Sequence, residues 1–249
     1  MNIGVSGWVG FNAFIAAMLL LDLFVLQREA HAPGLREAAI WSGVWIALAL
    51  LFGAGVYRLG GAQAGLEFLT GYVIEKSLSL DNIFVILLIF TSFGVPSRYQ
   101  HRVLFWGVAG ALAMRGLFIT VGTLVLERWH WVVYIFGALL LFTAIRTVLK
   151  NDTQPDPSRI PLVRIVRHLV PMSAGYRGQR FLIREGGRWL ATPLLLVLVL
   201  VEASDLLFAV DSIPAVLAIS TDPFIVYTSN AFAVLGLRSL YLLLAAVMP

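Results

Sequence analysis

Apolar residues run along this chain in blocks of about twenty, separated by short polar or Gly/Pro-containing breaks. The blocks fall at 8–26, 40–57, 68–93, 103–125, 131–149, 193–214 and 224–247. A bilayer core about 30 Å thick takes roughly 20 residues of helix at 1.5 Å each, so the pattern predicts seven membrane-spanning helices. Three boundaries carry turn chemistry: His31-Ala32-Pro33-Gly34, Gly94-Val95-Pro96 and Thr221-Asp222-Pro223. The segment 150–192 is the only long polar stretch and separates the fifth span from the sixth. Residues 1–249 therefore read as a single all-α transmembrane domain, a polytopic helix bundle.

Composition agrees. Of 249 residues 59% are hydrophobic and only 13% charged, against about 25% charged in soluble domains. The absence of cysteine excludes thiol catalysis, zinc ribbons and iron–sulfur ligation by this chain. No arrangement of serine, histidine and acid suggests hydrolysis, and the four histidines fall in loops or at span ends, so the chain is not expected to be an enzyme. The pI of about 9.7 reflects arginines whose placement argues for a membrane surface rather than nucleic acid.

Basic residues alternate between the two sides. The loops after the first, third and fifth spans hold thirteen Lys and Arg, nine of them from Arg146 to Arg188, while the loops after the second and fourth hold only Arg58 and Arg128. By the positive-inside rule the N-terminus lies outside and the end of the chain at Pro249 inside. This is the pattern of a multi-pass protein of a bacterial inner (plasma) membrane. Ala30-His31-Ala32 resembles a cleavage site, but no Lys or Arg precedes the first apolar run and that run is long enough to span, so it is expected to stay as a helix. The basic loop 150–192, with a partly amphipathic run at 162–170, is expected to lie on anionic lipid headgroups.

Shifting the chain by 130 residues lays Asp81-Asn82-Ile83-Phe84-Val85-Ile86-Leu87-Leu88-Ile89-Phe90-Thr91 over Asp211-Ser212-Ile213-Pro214-Ala215-Val216-Leu217-Ala218-Ile219-Ser220-Thr221, with five of eleven positions identical. The same shift puts Glu75 on Asp205. Further on, Leu112-Ala113-Met114-Arg115-Gly116-Leu117-Phe118 resembles Leu235-Gly236-Leu237-Arg238-Ser239-Leu240-Tyr241. Spans three and four thus correspond to six and seven. An odd number of spans separates the copies, which makes the repeat inverted, the arrangement of transporters with a midplane site.

Nine ionisable residues lie within the expected spans: Asp22, Glu75, Lys76, Asp81, Arg115, Glu202, Asp205, Asp211 and Arg238. Each costs about 2.5–3.5 kcal/mol at a helix centre on the insertion scale. Six acids against three bases leave three negative charges for protons or a metal to balance. Glu75, Ser79 and Asn82 share one helical face, with Asp81 about 120° away. Glu202 and Asp205, three apart, share another, and Pro214 is expected to break the sixth helix so that Asp211 turns inward. An oxygen-rich cluster without Cys or His suits Mn²⁺, Mg²⁺ or Ca²⁺. Asp22, Ser79, Ser212 and Asn230 are possible further ligands or proton sites, while Lys76, Arg115 and Arg238 are expected as structural or gating charges. No organic cofactor is implied.

The stretches Glu75-Lys76-Ser77-Leu78-Ser79-Leu80-Asp81-Asn82 and Glu202-Ala203-Ser204-Asp205-Leu206-Leu207-Phe208-Ala209-Val210-Asp211-Ser212-Ile213-Pro214-Ala215 resemble the signature segments of the TerC family. The likeness extends through Tyr99-Gln100-His101-Arg102-Val103-Leu104-Phe105-Trp106-Gly107 and Asp222-Pro223-Phe224-Ile225-Val226-Tyr227-Thr228-Ser229-Asn230. It implies an integral membrane protein of a family named for tellurium resistance, whose members include manganese exporters. It also implies an ion site at Glu75, Asp81, Asn82, Glu202, Asp205 and Asp211. Family members typically continue past the position of Pro249 with about two more hydrophobic helices, which would leave the second repeat copy here one helix short. The expected function is export of a divalent cation, Mn²⁺ first, by alternating access and in exchange for protons. The alternatives are an exporter of another substrate, such as a cationic amino acid, and a non-transporting scaffold that supports metal delivery to secreted proteins.

Overall fold

A computed structural model describes residues 3–24, 35–129, 131–149 and 170–247. Its helices are α1 (Val5–Phe24), α2 (Leu35–Ser92), α3 (Ser97–Arg128), α4 (Val132–Leu149), α5 (Pro193–Leu217), α6 (Pro223–Leu235) and α7 (Leu237–Val247). They form an all-α bundle in which four helical stretches are long and apolar enough to cross a membrane. Large apolar side chains such as Leu51, Leu66, Leu117, Leu141 and Leu207 point outward and exposed, as a bundle solvated by lipid requires.

The second and third expected spans are the two arms of α2. At 58 residues a straight helix would reach about 87 Å, nearly three bilayer cores. Gly61 breaks it instead, with φ 88° and ψ 174°, a conformation open in practice only to glycine. The arms 35–60 and 62–92 then fold back on each other. Phe52 stacks at 5.4 Å on Phe68, and a Cβ at Gly65 would lie 2.7 Å from that of Tyr57 and 2.9 Å from its Cα. Where the sequence pattern placed a loop between 57 and 68, one residue makes the turn.

Helix α2 packs against α5, α6 and α7, and α3 packs against α5 and α6. At the centre lies α6, buried along nearly its whole length from Phe224 to Leu235. Asp222 caps it, its Oδ1 accepting from the backbone N–H of Phe224 (3.0 Å) and Ile225 (3.2 Å), with Pro223 at the first helical position. Helix α1 closes the bundle through aromatic contacts of Phe11 with Phe52, Phe224 and Phe232.

The seventh expected span is one apolar stretch, Pro223–Ala245, in which α6 and α7 meet at Gly236 with helical φ −77° and ψ −7°. Two further expectations are corrected. Helix α5 runs through Pro214 to Leu217 without the expected break; the proline sits one turn from the end, where its missing N–H costs little ladder. The polar loop also holds a hairpin, β1 (Leu182–Glu185) against antiparallel β2 (Arg188–Ala191), turned by Gly186 and Gly187 at positive φ. The hairpin segment docks on the α2–α3 turn: Tyr176 Oη donates to the Phe93 carbonyl (2.8 Å) and Arg102 lies over the Phe181 ring. Within the polar loop, 150–169 and most of the amphipathic run 162–170 fall outside the described residues.

Candidate functional site: a buried ion cluster between four helices

Helical spacing brings polar groups inward on two facing helices. On α2, Glu75, Ser79 and Asn82 recur at i, i+4 and i+7 and are all buried. On α5 the residues 130 positions later, Asp205, Ala209 and Ser212, do the same. The offset found in the sequence therefore superposes two inward faces.

Arg115 of α3 joins them. Its Nη2 donates to Asp205 Oδ1 at 2.8 Å and its Nε to Asp205 Oδ2 at 3.2 Å, a two-point grip. Its Nη1 donates to Glu75 Oε1 and, at 2.9 Å, to Asn230 Oδ1 of α6. Asn230 Nδ2 in turn donates to Glu75 Oε2 (3.0 Å), and Asn82 Nδ2 to Asp205 Oδ1 (3.3 Å). The guanidinium and the Glu75 carboxylate are each 1% exposed. Taking such ions out of water costs several kcal/mol apiece, so the bonds compensate a penalty before they add stability. The cluster's formal charge is minus one, from two carboxylates and one guanidinium.

Around it lie unsatisfied oxygens. Asn82 Oδ1, Ser79 Oγ, Ser212 Oγ and Glu202 Oε2 are buried without a hydrogen-bond partner, a state that ordinarily costs about 1–3 kcal/mol per group. Beside Asn82 and Asp205 a cavity of about 30 Å³ opens between α2, α3, α5 and α7, with Ser204, Arg238 and Tyr241 among its lining residues. That is room for a water or a single bare ion.

The other acids expected as ligands differ in their surroundings. Asp81 is exposed and Asp211 half-buried. Glu202 presses its carboxylate against Gly110 of α3, where even a Cβ would overlap it. The side chain of Asp22 lies outside the described residues. Among the described residues no three acidic or histidine side chains converge as a metal-binding group. Of the six acids counted from the sequence, Glu75 and Asp205 are the two that Arg115 joins. Ser77 and Ser204 donate to the carbonyls of Val73 and Leu200 in their own helices.

Lys76 finds a carbonyl instead of an acid. Its Nζ donates to Ala233 O (3.4 Å) and fills the space at Gly236 that a side chain would take. An ammonium at the end of α6 is favoured by the helix dipole, and it lies at the junction of α6 and α7. Gly110 and Gly236 were not singled out from sequence, since their role is to leave room for a charge contributed from another helix.

The family model described as the integral membrane protein TerC family matches residues 60–249. The chain belongs to the TerC family. All the residues of the buried cluster fall within the matched region. An uncharacterized membrane protein of Myxococcus xanthus, STKORF319, is 51% identical over 98% of this chain and 77% of its own length. A protein of Escherichia coli (strain K12) named "Putative membrane-bound redox modulator Alx" is 48% identical over 96% and 78%. An uncharacterized membrane protein of Rickettsia felis is 39% identical over 96% and 80%. No solved structure matches. This TerC-family chain is thus an integral, multi-pass membrane protein.

Proposed function

We propose that the chain moves a divalent metal cation across the membrane at the Glu75–Asp205 pair. The observation that carries this reading is the meeting of two carboxylates, one from each motif-bearing helix, deep in an apolar bundle and beside an amide oxygen, Asn82 Oδ1, that has no donor. Hard oxygen donors of this kind suit Mn²⁺, Mg²⁺ or Ca²⁺. Manganese as the ion and export as the direction follow from the family resemblance. With Arg115 in place the cluster keeps one negative charge, which a single proton neutralises, so exchange against protons fits the site.

The small cavity beside Asp205 favours a bare ion over an amino acid, which needs a larger chamber and a group to hold its carboxylate. Thiol chemistry is not open to this chain, which has no cysteine. The test is flux of Mn²⁺ in vesicles containing the purified protein, at several pH values. Glu75→Gln and Asp205→Asn should each abolish flux while the protein still elutes as a folded species; undiminished flux in both removes the assigned site.

A further inference from the structure

The Arg115 guanidinium bridges the carboxylates of Glu75 and Asp205. We propose that Arg115 is a tethered counter-ion: in the metal-free protein it fills the place between Glu75 and Asp205, and the transported ion binds by displacing it. The proposal rests on the reading of that pair as the transport site and adds how the carrier crosses without metal.

Charge makes the occupancy exclusive. Two bare carboxylates in a dry bundle would each carry a solvation penalty of several kcal/mol. Arg115 lowers the pair from minus two to minus one, and a dication alone brings it to zero. Both together would crowd three positive charges onto two negative ones, leaving plus one inside an apolar bundle, and like charges so close repel strongly in a low-dielectric interior.

Geometry makes the exchange feasible. The guanidinium holds its place by side-chain bonds alone, to Glu75, Asp205 and Asn230, on a flexible three-carbon stem. The cavity beside Asp205 is lined by Val108 and Ala111, seven and four residues before Arg115 and so on its own face of α3. Helical side chains lean toward the N-terminus, which is the direction in which that space lies. An ion entering it meets Asn82 Oδ1 without a donor and one oxygen edge of Asp205 before the arginine has left. Arg238 shares the lining, so the cavity suits transit more than residence.

Two transport modes separate this role from a structural one. A carrier loaded on both sides exchanges metal for metal and never crosses empty, whereas net flux requires the metal-free return that Arg115 makes affordable. In proteoliposomes at equal pH on both sides, Arg115→Gln should retain exchange of labelled Mn²⁺ for unlabelled Mn²⁺ within about threefold while net efflux into Mn²⁺-free buffer falls at least about tenfold. Its apparent affinity for Mn²⁺ should rise by about tenfold or more, since an internal competitor no longer holds most of the population in the occupied form.

Arg115→Lys, which keeps the charge but not the fork, should show a smaller drop in the ratio of net flux to exchange. Parallel loss of both modes in both variants, with Mn²⁺ affinity unchanged or weaker, overturns the proposal. If Arg115→Gln does not fold, the flux ratio of Arg115→Lys decides: a lowered ratio supports the counter-ion, an unchanged one refutes it. Wild-type protein silent in both modes overturns the transport reading itself and the counter-ion with it.

Discussion

The unequal charge of the buried cluster dictates an order of stabilities that ordinary truncation logic would not give. Removing Arg115 as Arg115→Gln leaves Glu75 and Asp205 buried with only neutral amides as donors, those of Asn82 and Asn230 and of the introduced glutamine, and orphaning buried charges in this way costs about 3–5 kcal/mol. Asp205→Asn is milder. It leaves the Arg115–Glu75 pair intact and charge-balanced, and an asparagine Oδ1 can still accept from Nη2, so the loss is about 1–3 kcal/mol for the weakened charge-assisted bonds. The double variant holds one lone carboxylate where Arg115→Gln holds two. It should therefore be no less stable than Arg115→Gln alone, with a coupling of about 1–3 kcal/mol. Unfolding in SDS, followed by the fluorescence of the seven tryptophans, measures all three proteins against wild type. Costs that add to within about 0.5 kcal/mol would mean that Arg115 and Asp205 do not share a buried electrostatic site, and the cluster as described would be refuted.

Other expectations follow from single contacts. Gly61→Ala, at φ 88°, should destabilise by about 1–3 kcal/mol in the same assay, whereas Gly55→Ala, with open space around its Cβ, should be neutral or gain up to about 1 kcal/mol of helix propensity. Lys76→Met removes the donor to the Ala233 carbonyl and should cost about 1 kcal/mol, the low end for a bond of that length. Tyr176→Phe should speed tryptic cleavage at Arg177 and Arg180 by freeing the segment from Phe93. Burial raises the Tyr176 hydroxyl above its ordinary pKa of 10.0, so docking is intact below pH 10 and weakens as alkaline pH ionises the phenol. Wild-type protection from trypsin should fall above about pH 10, and Tyr176→Phe should lack that step.

Much of this could be read from residues alone, and the misreadings have physical causes. Among the described residues the apolar blocks fall almost wholly on helix, because a bilayer leaves the backbone no other choice. The equivalence of Glu75 and Asp205 was visible in the 130-residue offset, and the inward face of α2 in its spacing. A salt-bridging role for Arg115 between neighbouring helices was legible too, but which acids it serves is decided by three-dimensional packing alone. Asp81 shows the converse, since a position inside an apolar block does not reveal which side of the helix faces protein. The hairpin at 182–191 did have a local signal, Gly186-Gly187 between alternating apolar positions, obscured by the surrounding arginines. Gly61 differs from the helix's other glycines only in a backbone angle.

The fold-back at Gly61 also bears on how the chain enters the bilayer. Arm 62–92 carries Glu67, Glu75, Lys76 and Asp81, and on its own would partition poorly out of the translocation channel, each acid or lysine near a helix centre opposing insertion by about 2.5–3.5 kcal/mol. Its predecessor 35–60 is rich in Leu, Ile, Val and Trp and holds its charges near its ends. Joined by a one-residue turn, the two can leave the channel as a helical hairpin, the greasy arm ferrying the charged one. A lengthened, flexible connection at residue 61 would uncouple them, and the burden of retaining the polar arm would then fall on later helices still being synthesised.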